Sequence, residues 1–375
     1  MSRDIGAFSE LGDVFTTLDL HVGGEPIRLL IDGLPPIPGQ TINDKRLYVA
    51  EHFDHVRLLL TQEPRGHRDM VAGVVTDPVS EEGRFGIVFM DTRRYPYMCG
   101  HGTIGAVTAF LEMGWLEADE SEVTVVVDAP SGSVDAHARV RSADDGRPRV
   151  ESVVIQLEPA FAFLLDQPLR VSELGTIPVD VAFAGGFFVL VSNEHLVQPP
   201  PGAAGRRPLG PASRADCLEL SSENAPELIR VGMAITEAAN QQIDVQHPAQ
   251  PYINTIDVVE FYDPLGDAER RGRSAVIYGE GHIDRSACGT GTSAKMALLH
   301  RRGELAVGES FINESPLGST FEGRIVAETT VGGHPPCSTQ GIPAIVPQIR
   351  GAAHLTGLHR FVVTPDDPFP EGFLL

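Results

Sequence analysis

Two stretches of the chain, about half its length apart, carry the same chemistry-bearing pattern. Met98-Cys99-Gly100-His101-Gly102-Thr103 follows a strand-like segment at 85–90 and leads into a helical segment at 104–113 that stops at Gly114. Ala287-Cys288-Gly289-Thr290-Gly291-Thr292 follows a strand-like 274–278 and leads into a helical 293–302 that stops at Gly303. Both read C-G-x-G-T between a strand and a helix, which points to two similar domains, each presenting one cysteine at a helix N-terminus. A helix start leaves amides unpaired and carries positive partial charge, so a cysteine there is expected to have a depressed pKa and a larger thiolate fraction.

The glycines allow close backbone approach, so the amides of Gly100, His101, Gly289 and Thr290 are expected to hold an anion such as a carboxylate. Inverting a carbon centre means removing a proton from one face and returning another to the opposite face. Two cysteines from two domains, facing each other across one small acid, supply that pair. The carbanion formed beside the carboxylate would be stabilised by the same amides more than the ground state is. Pyridoxal phosphate enzymes that do this chemistry need a Schiff-base lysine. Of the two lysines, Lys45 lies on a helix apart from the cysteine turns and Lys295 lies inside the second motif's helix, so no cofactor is expected.

The remaining thiols, Cys217 and Cys337, have no such context and read as packing residues. Four cysteines in 375 residues make no disulfide framework, and none has C-x-x-C spacing. His52 and His55 form an H-x-x-H pair with no third ligand type nearby, so they read as part of a solvated face and no metal is expected.

Residues 14–20 and 27–31 flank Gly23-Gly24-Glu25-Pro26 as a hairpin. Residues 44–61 place Leu47, Ala50, Phe53, Val56 and Leu60 on one stripe, which predicts a single amphipathic helix. Strands are expected at 71–75, 85–90, 123–127, 150–157, 181–191, 255–262 and 274–278, and a helix at 225–240. The stretch 199–213, PPPGAAGRRPLGPAS, reads as a surface loop, and the tail as short strands joined by proline-rich turns. Strands and helices intermix, so the fold class is α/β or α+β.

Twenty-nine Lys and Arg against 51 Asp and Glu give a formal charge of −22, which argues against nucleic acid or an anionic membrane as partner. The first dozen residues hold charges and no apolar core of signal-peptide length, so the expected location is the cytoplasm. The expected partner is a small molecule. A homodimer is compatible with the sequence, which does not fix the oligomeric state.

The two cysteine stretches, the second taken from Asp284-Arg285-Ser286 to Lys295, resemble the paired signatures of the proline racemase and hydroxyproline epimerase family. The similarity also includes Asp19-x-His21-x-x-Gly24-Glu25-Pro26, Glu63-Pro64-Arg65-Gly66-His67-Arg68-Asp69-Met70, Phe89-Met90-Asp91, Gly185-Gly186-Phe187-Phe188 and Asp366-Asp367-Pro368. It covers nearly the whole chain. The resemblance implies a diaminopimelate-epimerase-like fold: two pseudo-symmetric halves, each a mixed sheet wrapped around a central helix, with the active site in the cleft between them. It puts 1–158 with a returning 358–375 in the half carrying Cys99, and 159–357 in the half carrying Cys288. It implies that Cys99 and Cys288 are the two bases and that Asp284 meets the substrate's ring nitrogen, with capping of the turn as the alternative role for Asp284. His101 and Thr290 are expected to act mainly through backbone amides. Arg65, His67, His21 and Glu25 are expected mainly to hold loops.

Three positions depart from the family pattern. Ala287 stands where proline is common, and Val71 and Tyr278 stand where proline racemases place phenylalanines against the ring. Valine opens space and the tyrosine hydroxyl adds a hydrogen-bonding group, which inclines the reading towards 4-hydroxyproline over proline. Within the family the alternative is trans-3-hydroxy-L-proline dehydratase, whose second cysteine position typically carries another residue. Outside it, the alternative is a non-catalytic or redox-sensing binder of the same fold.

Overall fold

The computed structural model describes residues 12–118, 121–144, 146–172, 174–196, 217–263, 270–332 and 341–375. The 199–213 loop and Cys337 lie outside the described residues. In chain order the elements are β1 (Asp13–Val22), β2 (Glu25–Asp32), α1 (Ile42–His52), α2 (Asp54–Thr61), β3 (Ala72–Thr76), β4 (Gly83–Met90), α3 (Gly100–Glu112), β5 (Glu122–Ala129), β6 (Gly132–Ser142) and β7 (Pro148–Gln156). They continue as β8 (Phe161–Val171), β9 (Gly175–Phe183), β10 (Phe187–Ser192), α4 (Ala225–Gln242), β11 (Ile256–Tyr262), β12 (Arg271–Tyr278), β13 (His282–Ile283), α5 (Gly289–Arg301), β14 (Ser310–Glu314), β15 (Thr320–Val331), β16 (Ile342–Gly351) and β17 (Ala353–Val363). Two compact units result, Met1–Ile155 with Gly351–Leu375, and Gln156–Arg350.

The first unit runs β17-β1-β2-β3-β4-β5-β6-β7, with β2–β3 and β4–β5 parallel and every other neighbour antiparallel. The second runs β8-β9-β10-β11-β12-β14-β15-β16, with β10–β11 and β12–β14 parallel and the rest antiparallel. The two topologies match strand for strand, and β13 is a short addition on β12. In the first unit α3 packs against β17, β1, β2 and β6; in the second α5 packs against the equivalent β8, β9, β10 and β15. Each sheet thus curls around its own helix, as the repeat in the sequence implies.

A helix enclosed in this way must be mostly apolar or small on every side. Every residue of α3 from Gly100 to Leu111 is buried. Gly105 shows why small residues are needed: a Cβ there would sit 2.8 Å from Ile27 Cγ2. The outer faces are covered by other helices. Val49, Val56, Leu59 and Leu60 of α1 and α2 pack with Phe15, Leu30, Val74 and Val88. In the second unit Leu228, Val231, Ile235 and Ala239 of α4 pack with Phe183, Phe187, Val259 and Phe261.

Three expectations are corrected. The helix over 44–61 is two helices, broken where Phe53 takes φ −129° and ψ 22°. α1 is started instead by a capping box in which Thr41 and Asp44 exchange hydrogen bonds, and it buries Ile42, Lys45 and Val49 while Leu47 stays 53% exposed. The expected strand at 181–191 is the turn of a β9–β10 hairpin, because Gly185, at φ 73°, reverses the chain inside the apolar run. The tail holds long strands, and Pro343 and Pro347 lie within β16. Among the described residues no helix is long and apolar enough to cross a membrane.

Candidate active site

Cys99 is the N-cap of α3, with extended backbone. Its carbonyl accepts both the amide and the hydroxyl of Thr103, each at 3.0 Å, which closes the first turn. Its Sγ lies 3.4 Å from His101 Nδ1, and His101 Nε2 lies 3.3 Å from the Pro26 carbonyl. A carbonyl only accepts, so the tautomer with its hydrogen on Nε2 suits the Pro26 contact and turns Nδ1 to the thiol as an acceptor. The imidazole thus stands beside the Cys99 thiol, a side-chain contact beyond the amide expected of His101.

Cys288 caps α5 differently, at φ 55° and ψ 111°, a conformation unfavourable for a residue with a Cβ. A built turn holds it there. The Ser286 amide and hydroxyl both donate to Asp284 Oδ1 at 2.8 Å, and the Ser286 oxygen accepts the Cys288 amide at 3.1 Å. The Gly291 amide donates to Cys288 Sγ at 3.3 Å, and Thr290 Oγ1 lies 3.6 Å from it. Below the turn, Asn313 Nδ2 donates to the Ala287 carbonyl at 3.1 Å and to Thr292 Oγ1 at 3.0 Å. Asp284 is buried and held by its amide on the Val276 carbonyl, so it does cap the turn with one oxygen.

Burial pushes the Cys288 thiol well above the ordinary thiol range, and the charges of Asp284 and Glu260 push the same way. The Thr290 hydroxyl and Gly291 amide pull downward and are outweighed. This is opposite to the depressed pKa expected from the helix start alone: burial comes first, and of the two carboxylates that add to it Glu260 arrives from a distant strand.

Gly100 and His101, and Gly289 and Thr290, are the first two residues of their helices, where helix geometry gives amides no acceptor within the helix. Val71 is buried just before β3, its carbonyl accepting the Arg28 amide at 3.0 Å. Tyr278 ends β12 with its ring edge-on to His282, centroids 5.1 Å apart. Arg65 pairs with Asp367 and donates to the Phe369 carbonyl, tying the 63–70 loop to the tail. His67 Nδ1 accepts the Asp69 amide, and His21 Nδ1 accepts the Gly24 amide. His52 and His55 are exposed, and no cluster of metal-ligating side chains occurs among the described residues.

Four residues at the second cysteine turn were not anticipated: Ser286, Glu260, Asn313 and the buried end of Lys295. Ser286 lies within the motif and its spacing from Asp284 is that of a capping turn. Glu260 and Asn313 come from β11 and β14, and nothing local in the sequence marks them.

A cysteine-capped central helix, present once in each of two matching units, defines the diaminopimelate-epimerase-like class. The proline racemase family model matches residues 17–201 and 212–374. The chain is similar to a proline racemase from Acetoanaerobium sticklandii, 37% identical over 95% of this chain and 97% of the relative. It is similar to a 4-hydroxyproline 2-epimerase from Streptosporangium roseum, 36% identical over 96% and 98%. A trans-3-hydroxy-L-proline dehydratase from Bacillus thuringiensis subsp. konkukian is 33% identical over 98% and 99%. Among solved structures, a hydroxyproline epimerase from Agrobacterium vitis with bound trans-4-hydroxy-L-proline has a TM-score of 0.81 at 30% identity, covering 97% of this chain and 95% of its own. The chain belongs to the proline racemase family, and it is an enzyme of the isomerase class.

Proposed function

We propose that the chain is a cofactor-independent 2-epimerase of 4-hydroxyproline, with proline as the competing substrate. The observation that supports it best is the repeated cysteine cap, Cys99 on α3 and Cys288 on α5, each on a largely buried central helix. In one direction the Cys99 thiolate, its own proton passed to His101, takes the Cα proton, and the electron pair of that bond spreads into the substrate carboxylate. The Cys288 thiol returns its proton to the opposite face. The two cysteines finish with exchanged protonation states, ready for the reverse direction. The amides at Gly100, His101, Gly289 and Thr290 hold the carboxylate and its growing charge. Asp284, with Oδ1 engaged in the turn, meets the ring nitrogen with its other oxygen.

The lean towards the hydroxylated ring rests on Val71 and Tyr278, and on the hydroxyproline named for the Agrobacterium vitis structure. The dehydratase reading is disfavoured by Cys288, since elimination needs one base. The test is a panel of L-proline, trans-4-hydroxy-L-proline, cis-4-hydroxy-D-proline and trans-3-hydroxy-L-proline in heavy water, followed by optical rotation and Cα deuterium uptake. Inversion with uptake, fastest on the 4-hydroxy substrates, is expected. Loss of water from the 3-hydroxy substrate as the dominant reaction would establish the dehydratase, and no uptake from any of them a binder.

A further inference from the structure

The space between β11, β12, β14 and α5 holds a polar cluster that the proton transfer above does not use. Glu260 is wholly buried; its Oε1 accepts the Ser274 hydroxyl at 2.7 Å, and its Oε2 has no hydrogen-bond partner. Lys295 is also wholly buried, its Nζ 3.3 Å from Ser274 Oγ, 3.4 Å from the Arg273 carbonyl and 3.5 Å from Asn313 Oδ1. The rings of Tyr262 and Phe311 cover the ammonium. Ser274 thus bridges acid and base, with Lys295 donating to Ser274 and Ser274 donating to Glu260.

This cluster lies directly behind the Cys288 turn. A Cβ on Gly291 would sit 2.9 Å from Glu260 Oε2, and the Gly291 amide is the group that donates to Cys288 Sγ. Asn313 links Lys295 to the Ala287 carbonyl, one residue before the cysteine. The first unit builds the same architecture without charge here. Seven residues past Cys99, where α5 has Lys295, α3 has the buried Ala106, and Phe85 of β4 packs its ring on Phe110 of α3. The fold therefore does not require a buried acid and base at this place, and a buried pair of this kind is weak support for stability.

We propose that Glu260, balanced by Lys295 through Ser274, is a positioning residue that sets the pH at which Cys288 gives up its proton. The proposal rests on the reading of Cys288 as an acid–base group. Glu260 faces Lys295 from α5, Ser274 and Val276 from β12, Leu190 from β10, and Asp284 and Cys288 from the turn; Asp263 acts on Lys295. α4 covers the opposite face of β11 with apolar side chains. When Glu260 is ionised its charge opposes the Cys288 thiolate, and transfer of one proton from Lys295 to Ser274, with Ser274 passing its own to Glu260, removes that charge without any outside proton. The asymmetry gives one cysteine an imidazole and the other a buried, switchable carboxyl.

The test reads Cys288 directly, by pH-dependent alkylation with iodoacetamide resolved on the Cys288 peptide by mass spectrometry, beside the pH profile of kcat. Glu260→Gln is expected to lower the Cys288 midpoint by about one pH unit, removing a like charge. The matching limb of kcat should move with it while KM stays put, and Glu260→Asp should restore the wild-type midpoint. Ser274→Ala, which weakens the ionised form of Glu260, should shift it the same way by less, and it serves where Glu260→Gln does not fold. An unmoved midpoint in folded Glu260→Gln or Ser274→Ala would overturn the proposal. Because alkylation needs no turnover, that outcome is distinct from failure of the two-thiol reading, which would appear as activity surviving Cys288→Ser.

Discussion

Gly102, in the first turn of α3, is the position where a single methyl group should separate the fold from the chemistry. A Cβ there would lie 2.7 Å from Phe89 Cε1, 3.2 Å from Phe89 Cδ1 and 3.0 Å from Cys99 Sγ. Carbon atoms settle at about 3.5 Å or more, so the new methyl is roughly 0.8 Å too close to the ring. Phe89 is fully buried in β4, so its ring can give less than a half-buried group. The sulfur, on a half-buried cap, is the neighbour that moves. Gly102→Ala is therefore expected to lower stability by about 1–3 kcal/mol through overpacking. It should also carry Cys99 away from His101 and lower kcat roughly 100-fold, the usual cost of misplacing a reacting group by about 1 Å. Steady-state kinetics on the preferred hydroxyproline or proline and a thermal melt give both numbers. A folded Gly102→Ala enzyme with wild-type kcat would refute the reasoning that the glycine keeps the sulfur in place.

Further outcomes concern specificity, support and pH. Val71→Phe and Tyr278→Phe are expected to shift kcat/KM roughly tenfold or more towards proline, the size set by leaving a hydrogen-bonding group unmatched; unchanged ratios would remove these positions from substrate choice. Arg28 is buried, pairs with both oxygens of Asp19, and donates to the carbonyls of Leu60 at 2.8 Å and Arg65 at 2.6 Å. Arg28→Lys should cost about 3 kcal/mol in a denaturant melt, because an ammonium cannot keep that fork. At Asp128, burial opposes ionisation, but the amides of Ser80 and Val79 and the hydroxyls of Ser133 and Ser80 outweigh it and hold the carboxyl below its ordinary range. Its contribution is complete above the unfolded carboxylate pKa and is lost as pH falls through the lower folded value. Asp128→Asn should therefore cost about 2–3 kcal/mol near neutral pH and little in strong acid, read from melts across that range.

The cysteine turns were legible because their signal is local. Glycines flanking a cysteine, a strand before and a helix after, lie within some thirty residues, and the second copy confirms the first. The first hairpin was legible for the same reason. The break at Phe53 was not, since the apolar spacing runs through it and only the cap at Thr41 and the packing of α2 decide where each helix turns its face. Gly185 was hidden inside an apolar run that reads as one strand. Glu260 and Asn313 were illegible because they reach Cys288 only through pairing of β11 and β14 with β12. Burial of the Cys288 turn, with Asp284 and Glu260 beside it, pushes the thiol upward against the helix start, and only the folded packing brings those groups together.

Inversion and Cα exchange by Cys99→Ser and Cys288→Ser, each measured in heavy water from both enantiomers of the preferred substrate, test the two-thiol chemistry most directly. Each variant is expected to fold and to lose inversion in both directions by about 1,000-fold or more, since a hydroxyl is far too weak an acid–base group in place of a thiol. Substantial inversion by either variant would contradict the assignment of Cys99 and Cys288 as the two acid–base groups.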